Sequence, residues 1–259
     1  MTAPVLIERD GHVAAIVLNR PEQSNAMDPE ASKALIDCID EVAADTAVRA
    51  VLLRANGKHF CAGGSIAFFD QAGAELPRML EQFIGPLHAA IHKLATLPVP
   101  VVSAVNGPVG GGGIGLALCA DIVLAAGSMK LRGGYSAIGL TPDAGASWLL
   151  ARRAGAARAK QIFFTNAPLS AQQCLAFAIV DEVVADEELA ARAASLARTL
   201  AQGATGALAH IKRLVDGAHE RSLGAQLDME HRLMVDAAAA THAAEGIAAF
   251  REKRAPRFV

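Results

Sequence analysis

The stretch VPVVSAVNGPVGGGGIGLALCA, Val99 to Ala120, joins an apolar strand-like run to a helix-like run through four consecutive glycines, Gly110 to Gly113. A strand that ends in glycines and opens a helix leaves backbone N–H groups uncovered at the positive end of a helix dipole. Negative charge is welcome there, whether a bound phosphate or an oxyanion formed during a reaction. The phosphate fingerprints fit poorly. A P-loop needs GxxxxGK[ST], and no Lys-Ser/Thr pair follows the run. A dinucleotide fingerprint laid on Gly110, Gly112 and Gly115 lacks the acidic residue that should end a second strand about 20 positions later. The run by itself leaves two readings open, a close helix–strand packing device and an anion site.

Outward from that junction, strand and helix signals alternate. Val5 to Arg9 and Val13 to Leu18 flank Asp10-Gly11, a two-residue hairpin signal. Asp28-Pro29 starts a helix whose Leu35, Cys38, Ile39 and Val42 form one apolar stripe. Ala50 to Ala55 reads as a buried strand, and Leu76 through Leu94 as a long helix with a kink at Gly85-Pro86. Asp121 to Ala125 is a further strand. From Pro142 onward the pattern is nearly all helical, with Val180 to Val184 the one weak strand. Ser170 with Gln173 forms a capping box, Asp186 caps another helix, and alanine-rich amphipathic segments run to Arg254.

Composition narrows the function classes. The 259 residues are 53% hydrophobic, enough for a sizeable core, and net charge is −2 with no long basic run, so neither nucleic acid nor a membrane surface is expected as a partner. The four cysteines (Cys38, Cys61, Cys119, Cys174) form no CxxC pair and the eight histidines no HExxH, so no disulfide framework and no metal site is expected. No basic head with a following apolar stretch opens the chain, and no apolar run approaches the roughly 18 residues of a membrane span. A cytoplasmic protein is the expectation.

A second glycine loop, His59-Phe60-Cys61-Ala62-Gly63-Gly64-Ser65, also follows a strand. Two such turns at the ends of adjacent strands can aim two N–H groups at one oxygen. Here the sequence resembles the enoyl-CoA hydratase/isomerase, or crotonase, superfamily over almost the whole chain. Leu18-Asn19-Arg20-Pro21 with Asn25-Ala26 is similar to its first coenzyme-A loop, and Phe60 to Gly64 to its first oxyanion loop. Ala104-Val105-Asn106-Gly107 through Gly113 is similar to its second oxyanion loop, and Gly246 with Phe250 to Arg254 to its C-terminal signature. The resemblance implies an α/β fold, a ββα spiral core over residues 1–195 that binds acyl-CoA, with a C-terminal helical trimerisation region over 196–259. It also implies a homotrimer or a dimer of trimers, and no cofactor beyond the CoA carried by the substrate. The thioester oxygen would sit between the N–H groups of Gly64 and Gly112. Arg20, Ala26, Ala62, Gly64, Ser65 and Ile66 would line the CoA path, the Ala62 carbonyl meeting the adenine. Phe250 and Lys253 from a neighbouring subunit would close over the nucleotide.

Departures from the family pattern bear on the reaction. Hydratases of this superfamily use two glutamates, and matching places Gly115 at the first position and Tyr135 at the second, so the two-carboxylate route is disfavoured. One carboxylate remains nearby, Asp143. By spacing alone it reads as a first-turn residue of a helix capped by Thr141 with Pro142 at its first position. By resemblance, Leu140-x-Pro142-Asp143-x-Gly145 followed by Trp148-Leu149-Leu150 is similar to the isomerase branch typified by the ring-epoxide isomerase of phenylacetate breakdown, where this aspartate is the acid/base. A single carboxylate suffices for a 1,3-proton shift. Phe68, Phe69, Phe83, Trp148 and Leu149 are candidate pocket walls, and Tyr135 either donates to substrate or fills space. Cys61 lacks a basic neighbour at useful spacing. His88 and His92 lack a third metal ligand, although His88 resembles a histidine of the aryl-CoA dehalogenase branch. The leading expectation is an acyl-CoA isomerase. The alternatives are a hydratase using Asp143 alone and a non-catalytic acyl-CoA binder.

Overall fold

The computed structural model describes residues 3–258. Strands β1 (Val5–Asp10) and β2 (Val13–Leu18) form the antiparallel hairpin read from Asp10-Gly11. The Asp28 side chain accepts from the Ala31 N–H and so caps α1 (Pro29–Ala44). After β3 (Ala50–Ala55) come α2 (Ile66–Ala72) and α3 (Leu76–Ala95), the latter running as one helix through Pro86. β4 (Val101–Val105) starts after Pro100, later than Val99, because proline has no N–H for the ladder. The glycine junction becomes β5 (Val109–Gly110) and α4 (Gly112–Leu118), followed by β6 (Ile122–Ala126) and β7 (Lys130–Arg132). Next are α5 (Ala146–Ala154), α6 (Ala156–Thr165), β8 (Leu169–Ser170) and α7 (Ala171–Ala176), the last opened by the expected Ser170–Gln173 capping box. β9 (Glu182–Val184) and the helices α8 (Leu189–Ala201), α9 (Thr205–Asp216), α10 (Leu223–Ala239) and α11 (Thr241–Glu252) complete the chain.

One sheet has the order β1-β2-β3-β4-β6-β9 and is parallel from β2 onward; a second has the order β5-β7-β8. Successive turns of chain therefore repeat a unit: a strand in the large sheet, a short strand in the small one, then a helix. β4-β5-α4 and β6-β7-α5 are two such turns, and a Cys61–Val109 bridge joins the small sheet to the turn before. This is a ββα spiral. Both faces of the large sheet are covered, as continuous apolar runs require. Ala14, Ile16, Leu18, Val51, Leu53, Val101 and Val105 face the main core with α1, α3 and α4. Their alternating neighbours Ala15, Val17, Leu52, Val102, Ala104 and Leu124 face α8, where Leu189, Ala193, Ala197 and Ala201 recur every four residues and small side chains allow close approach. Residues 195 and 196 both lie within α8.

Two capping expectations are corrected. Asp186 does not cap α8, which begins at Leu189 without a side-chain cap; the Asp186 Oδ1 instead accepts from the Ser128 N–H at 3.0 Å. Thr141, Pro142 and Asp143 do not start α5. Ala144 (φ 51) and Gly145 (φ 75) are both left-handed, so the helix cannot begin before Ala146, and Asp143 belongs to a loop. The C-terminal region is helical as expected, and Ile211, Val215, Leu227, Met234, Val235 and Ile247 on α9 to α11 are exposed. Among the described residues no helix is long and apolar enough to cross a membrane.

Candidate active site

Three segments far apart in sequence converge at the C-terminal ends of β2, β3 and β4. Asn25, buried and left-handed (φ 51), ties the first two together: its side-chain amide donates to the carbonyls of Asn56 and His59, and its Oδ1 accepts from the Arg20 N–H. Ala62 N–H donates to Ser24 O, Met27 N–H to Gly63 O at 2.7 Å, and Ser65 N–H to Met27 O. The third segment joins through Gly110 N–H to Cys61 O. This close approach demands glycine at Gly63 (φ 93), where a Cβ would lie 2.8 Å from Gly110 O and 3.1 Å from Gly112 N. The two glycine turns therefore abut.

Several backbone donors around this seam are left over, and two of them matter here. Among the described residues, the N–H groups of Gly64 and Gly112 have no hydrogen-bond partner. Gly64 pairs with Met27 only through its neighbours Gly63 and Ser65, so its own N–H faces away, and Gly112 opens α4, where a first-turn N–H has no acceptor in the helix. Both glycines line one cavity of about 500 Å³ together with Asp143 and Tyr135. The donor pair expected from the two loops is thus brought to one place.

Asp143 stands beside the second donor: a Cβ on Gly112 would lie 3.1 Å from Asp143 Oδ1 and 3.8 Å from Tyr135 Oη. Tyr135 donates its hydroxyl to Asp143 Oδ1 at 2.5 Å, while Oδ2 has no partner among the described residues. Burial, reinforced by the adjacent carboxylate, pushes the Tyr135 phenol well above its ordinary range, so it keeps its proton and remains a donor. The Tyr135 hydroxyl is thus spent on the carboxylate, a partnership the sequence reading did not contain. The loop also leaves no room for a side chain at Gly115: a Cβ there would fall 1.8 Å from Ala144 O. No side chain fits while the Asp143 loop rests on α4.

The cavity wall is apolar and comes mainly from α3, with Leu80, Phe83, Ile84, Leu87 and Ile91, supplemented by Phe69, Ile138 and Leu140. Of the expected walls, Phe69 and Phe83 line it. Phe68 lines an adjoining opening of about 670 Å³ instead. Trp148 and Leu149 line neither, because α5 starts three residues after Asp143 and turns Trp148 outward, with the Arg152 guanidinium 4.4 Å over its ring. The missed wall residues on α3 were visible as an apolar stripe, but nothing in one sequence says which side of a stripe faces a cavity.

The adjoining opening shares Gln23, Ala26 and Ile66 with the cavity and also includes Ser65, whose Oγ accepts from the Phe68 N–H and caps α2. Ala62 lines the cavity proper. Arg20 is not free: its guanidinium donates to Asp28 at 2.7 Å and also engages Glu30. Phe250 and Lys253 are exposed near the end of α11 and line neither space in their own chain. Cys61 is fully buried and its thiol is pushed up to about 12 by burial, so it is no nucleophile at neutral pH. His88, read from the sequence as unsuited to metal binding, accepts from the Ala144 N–H through Nε2 at 2.9 Å, a contact the sequence did not suggest. Among the described residues no cluster of His, Cys, Asp and Glu could hold a metal ion.

A ββα spiral whose two glycine loops line one cavity with unpaired amides defines a class of protein, and comparison with known proteins agrees. The chain matches the enoyl-CoA hydratase/isomerase family over residues 8–259 and belongs to that family. It is 40% identical over 250 residues to 1,2-epoxyphenylacetyl-CoA isomerase of Escherichia coli (strain K12), covering 95% of this chain and 94% of the relative. It is 31% identical over 255 residues to trans-2-decenoyl-[acyl-carrier-protein] isomerase of Streptococcus mutans, covering 98% and 97%. The crystal structure of an enoyl-CoA hydratase from Polaromonas sp. JS666 superposes with a TM-score of 0.92 at 34% identity, covering 98% of both chains. The family and fold implied by the glycine loops are borne out.

Proposed function

We propose that this protein is an acyl-CoA isomerase that shifts a double bond, or isomerises a ring-derived acyl-CoA, with Asp143 as its single acid/base. The thioester oxygen sits between Gly64 N–H and Gly112 N–H. Asp143 Oδ2 takes a proton from C2 of a 3-enoyl thioester, the electrons move into the carbonyl, and the two amides hold the resulting dienolate oxygen. The same carboxyl returns the proton to C4, giving the 2-enoyl product with no net gain or loss of atoms. Two preorganised donors matter because the charge develops only during reaction; removal of one such donor typically costs about 3 kcal/mol of barrier. Tyr135, bonded to Oδ1, leaves Oδ2 as the proton carrier. The CoA moiety lies along Ala26, Ala62, Ser65 and Ile66, and Phe250 and Lys253 of a neighbouring chain in a homotrimer, or dimer of trimers, cover its nucleotide end.

The observation that supports this reading most is the placement of Asp143 beside Gly112, bonded to Tyr135. By the family resemblance, Gly115 and Tyr135 stand where hydratases carry their two glutamates. The similarity to an epoxyphenylacetyl-CoA isomerase favours the same branch. Incubation with 3-enoyl-CoA and 2-enoyl-CoA thioesters tests it by mass spectrometry and chromatography. Conversion of 3-enoyl to 2-enoyl at constant mass is expected. A product heavier by one water from the 2-enoyl substrate points to hydration instead. Inertness toward straight-chain and ring-derived thioesters alike, with binding retained, points to a non-catalytic acyl-CoA binder.

A further inference from the structure

The loop that carries Asp143 is held from three sides. Tyr135 bonds the carboxylate, and α4 blocks the loop from below at Gly115, where Ala144 O rests on the glycine. The third contact is His88, whose Nε2 accepts the Ala144 N–H at 2.9 Å. An imidazole nitrogen accepts only through a free lone pair, so this contact needs the ring neutral and its proton on Nδ1. Ala144 stands at φ 51, a backbone conformation that a residue with a Cβ adopts only when its surroundings enforce it. Its N–H points at His88 because of that conformation. A flipped or relaxed Ala144 would carry the preceding carboxylate away from Gly112.

His88 projects from α3 between cavity-lining residues: Ile84 precedes it by one turn, Leu87 is adjacent and Ile91 follows by three. The helix that shapes the acyl cavity therefore also holds the acid/base loop. We infer that His88 is a positioning residue whose Nε2 fixes Ala144 and thereby aims Asp143 at the substrate. This rests on the reading of Asp143 as the proton carrier. His88 itself transfers no proton, since its one free lone pair is occupied by the Ala144 N–H.

The test compares three variants of the full-length protein with a 3-enoyl-CoA thioester: His88→Met, His88→Gln and Asp143→Asn. Methionine keeps bulk and helix preference but offers no strong acceptor, whereas the glutamine side-chain oxygen can reach the place of Nε2 and accept. His88→Met is expected to lower kcat by about 10- to 100-fold, the scale of a 1 Å misplacement, with KM nearly unchanged. His88→Gln is expected to recover the rate to within about threefold of the parent, because the acceptor is restored. Equal melting temperatures for the two His88 variants tie the difference to the acceptor rather than to folding. Parental kcat in His88→Met overturns the inference. So does a folded His88→Gln protein as inactive as Asp143→Asn, since that result makes the imidazole a proton carrier. If His88→Met does not fold, the rate of His88→Gln alone decides between these outcomes. Undiminished turnover in Asp143→Asn refutes the underlying Asp143 reading, whatever the His88 variants do.

Discussion

Gly115→Ala is a one-carbon change that alters neither Gly64, Gly112 nor Asp143, yet on the proposed mechanism it should disable the protein. The added Cβ would lie 1.8 Å from Ala144 O, 2.7 Å from Ala144 C and 3.1 Å from Ala146 N, all backbone atoms with no flexible end to move aside. Ordinary contact begins near 3.4 Å, so the 143–145 loop and α4 must separate by about 1.6 Å. Overpacking of this kind costs about 1–3 kcal/mol. In a chain of this size that lowers the melting temperature by roughly 2–12 °C. The catalytic cost is larger, because a misplacement of about 1 Å is worth about 10²-fold in rate. The expected result is kcat reduced by at least about 10²-fold toward a 3-enoyl-CoA thioester, with CoA-thioester affinity little changed, since Ala26, Ala62 and Ser65 lie on other segments. Gly224→Ala, with nothing within 4 Å of its Cβ, serves as the control and should leave kcat at the parental value. Steady-state kinetics and a thermal melt on both variants decide the matter. A Gly115→Ala protein with parental kcat and melting temperature refutes the claim that the Asp143 loop is seated on α4.

Other expectations follow from the same geometry. Asp143→Asn preserves an acceptor for the Tyr135 hydroxyl and should lower kcat by roughly 10²–10⁴ with little change in melting temperature, because Asp143 caps no helix; deuterium retention at C2 and C4 reads the lost proton transfer. Gly112→Pro removes a donor at the first position of α4 and also sets a Cβ 3.1 Å from Asp143 Oδ1, so it should reduce kcat by at least about 10²-fold in a folded protein; full activity there would remove Gly112 from the proposed carbonyl site. Burial raises the Cys61 and Cys119 thiols from 9.0 to about 12, so the native protein at pH 8 should resist alkylation at both, with half-buried Cys38 modified first in peptide mass spectra. The same shift has a stability consequence. Above pH 9 the unfolded chain releases thiol protons that the folded chain retains, so stability should fall as pH rises from 9 toward 12, as a melting series in that window will report.

Much of the fold was legible because its signals are local. The Asp10-Gly11 hairpin, the Asp28-Pro29 cap and the Ser170–Gln173 box each depend on residues within one turn, and each formed where expected. The paired glycine loops were legible for another reason: close backbone approach tolerates little else at Gly63 and Gly113, so the requirement is written into the composition. The Asp143 loop was harder to read. Thr141-Pro142-Asp143 satisfies every local rule for a helix start, but the left-handed Ala144 and Gly145 are imposed by packing against α4 and by His88, contacts 29 and more residues away in the chain. That displacement of α5 also turned Trp148 to the outside. The Tyr135–Asp143 bond spans a short 3-10 turn, Tyr135–Ile138, and a loop after it, where no sustained periodicity points one side chain at another.

The Met27–Gly64 crossing leaves the molecule with two populations of amide at one site. Those of Met27, Ala62, Ser65 and Gly110 are locked into the seam between three loops and can exchange with solvent deuterium only when that seam opens, as one unit. Those of Gly64 and Gly112 have no acceptor among the described residues and should exchange from the closed protein. A bound thioester oxygen would reverse this for the two glycines alone. Deuterium uptake at Gly64 and Gly112 would thus become an occupancy gauge for the proposed carbonyl site, readable with a non-reactive acyl-CoA and without any turnover.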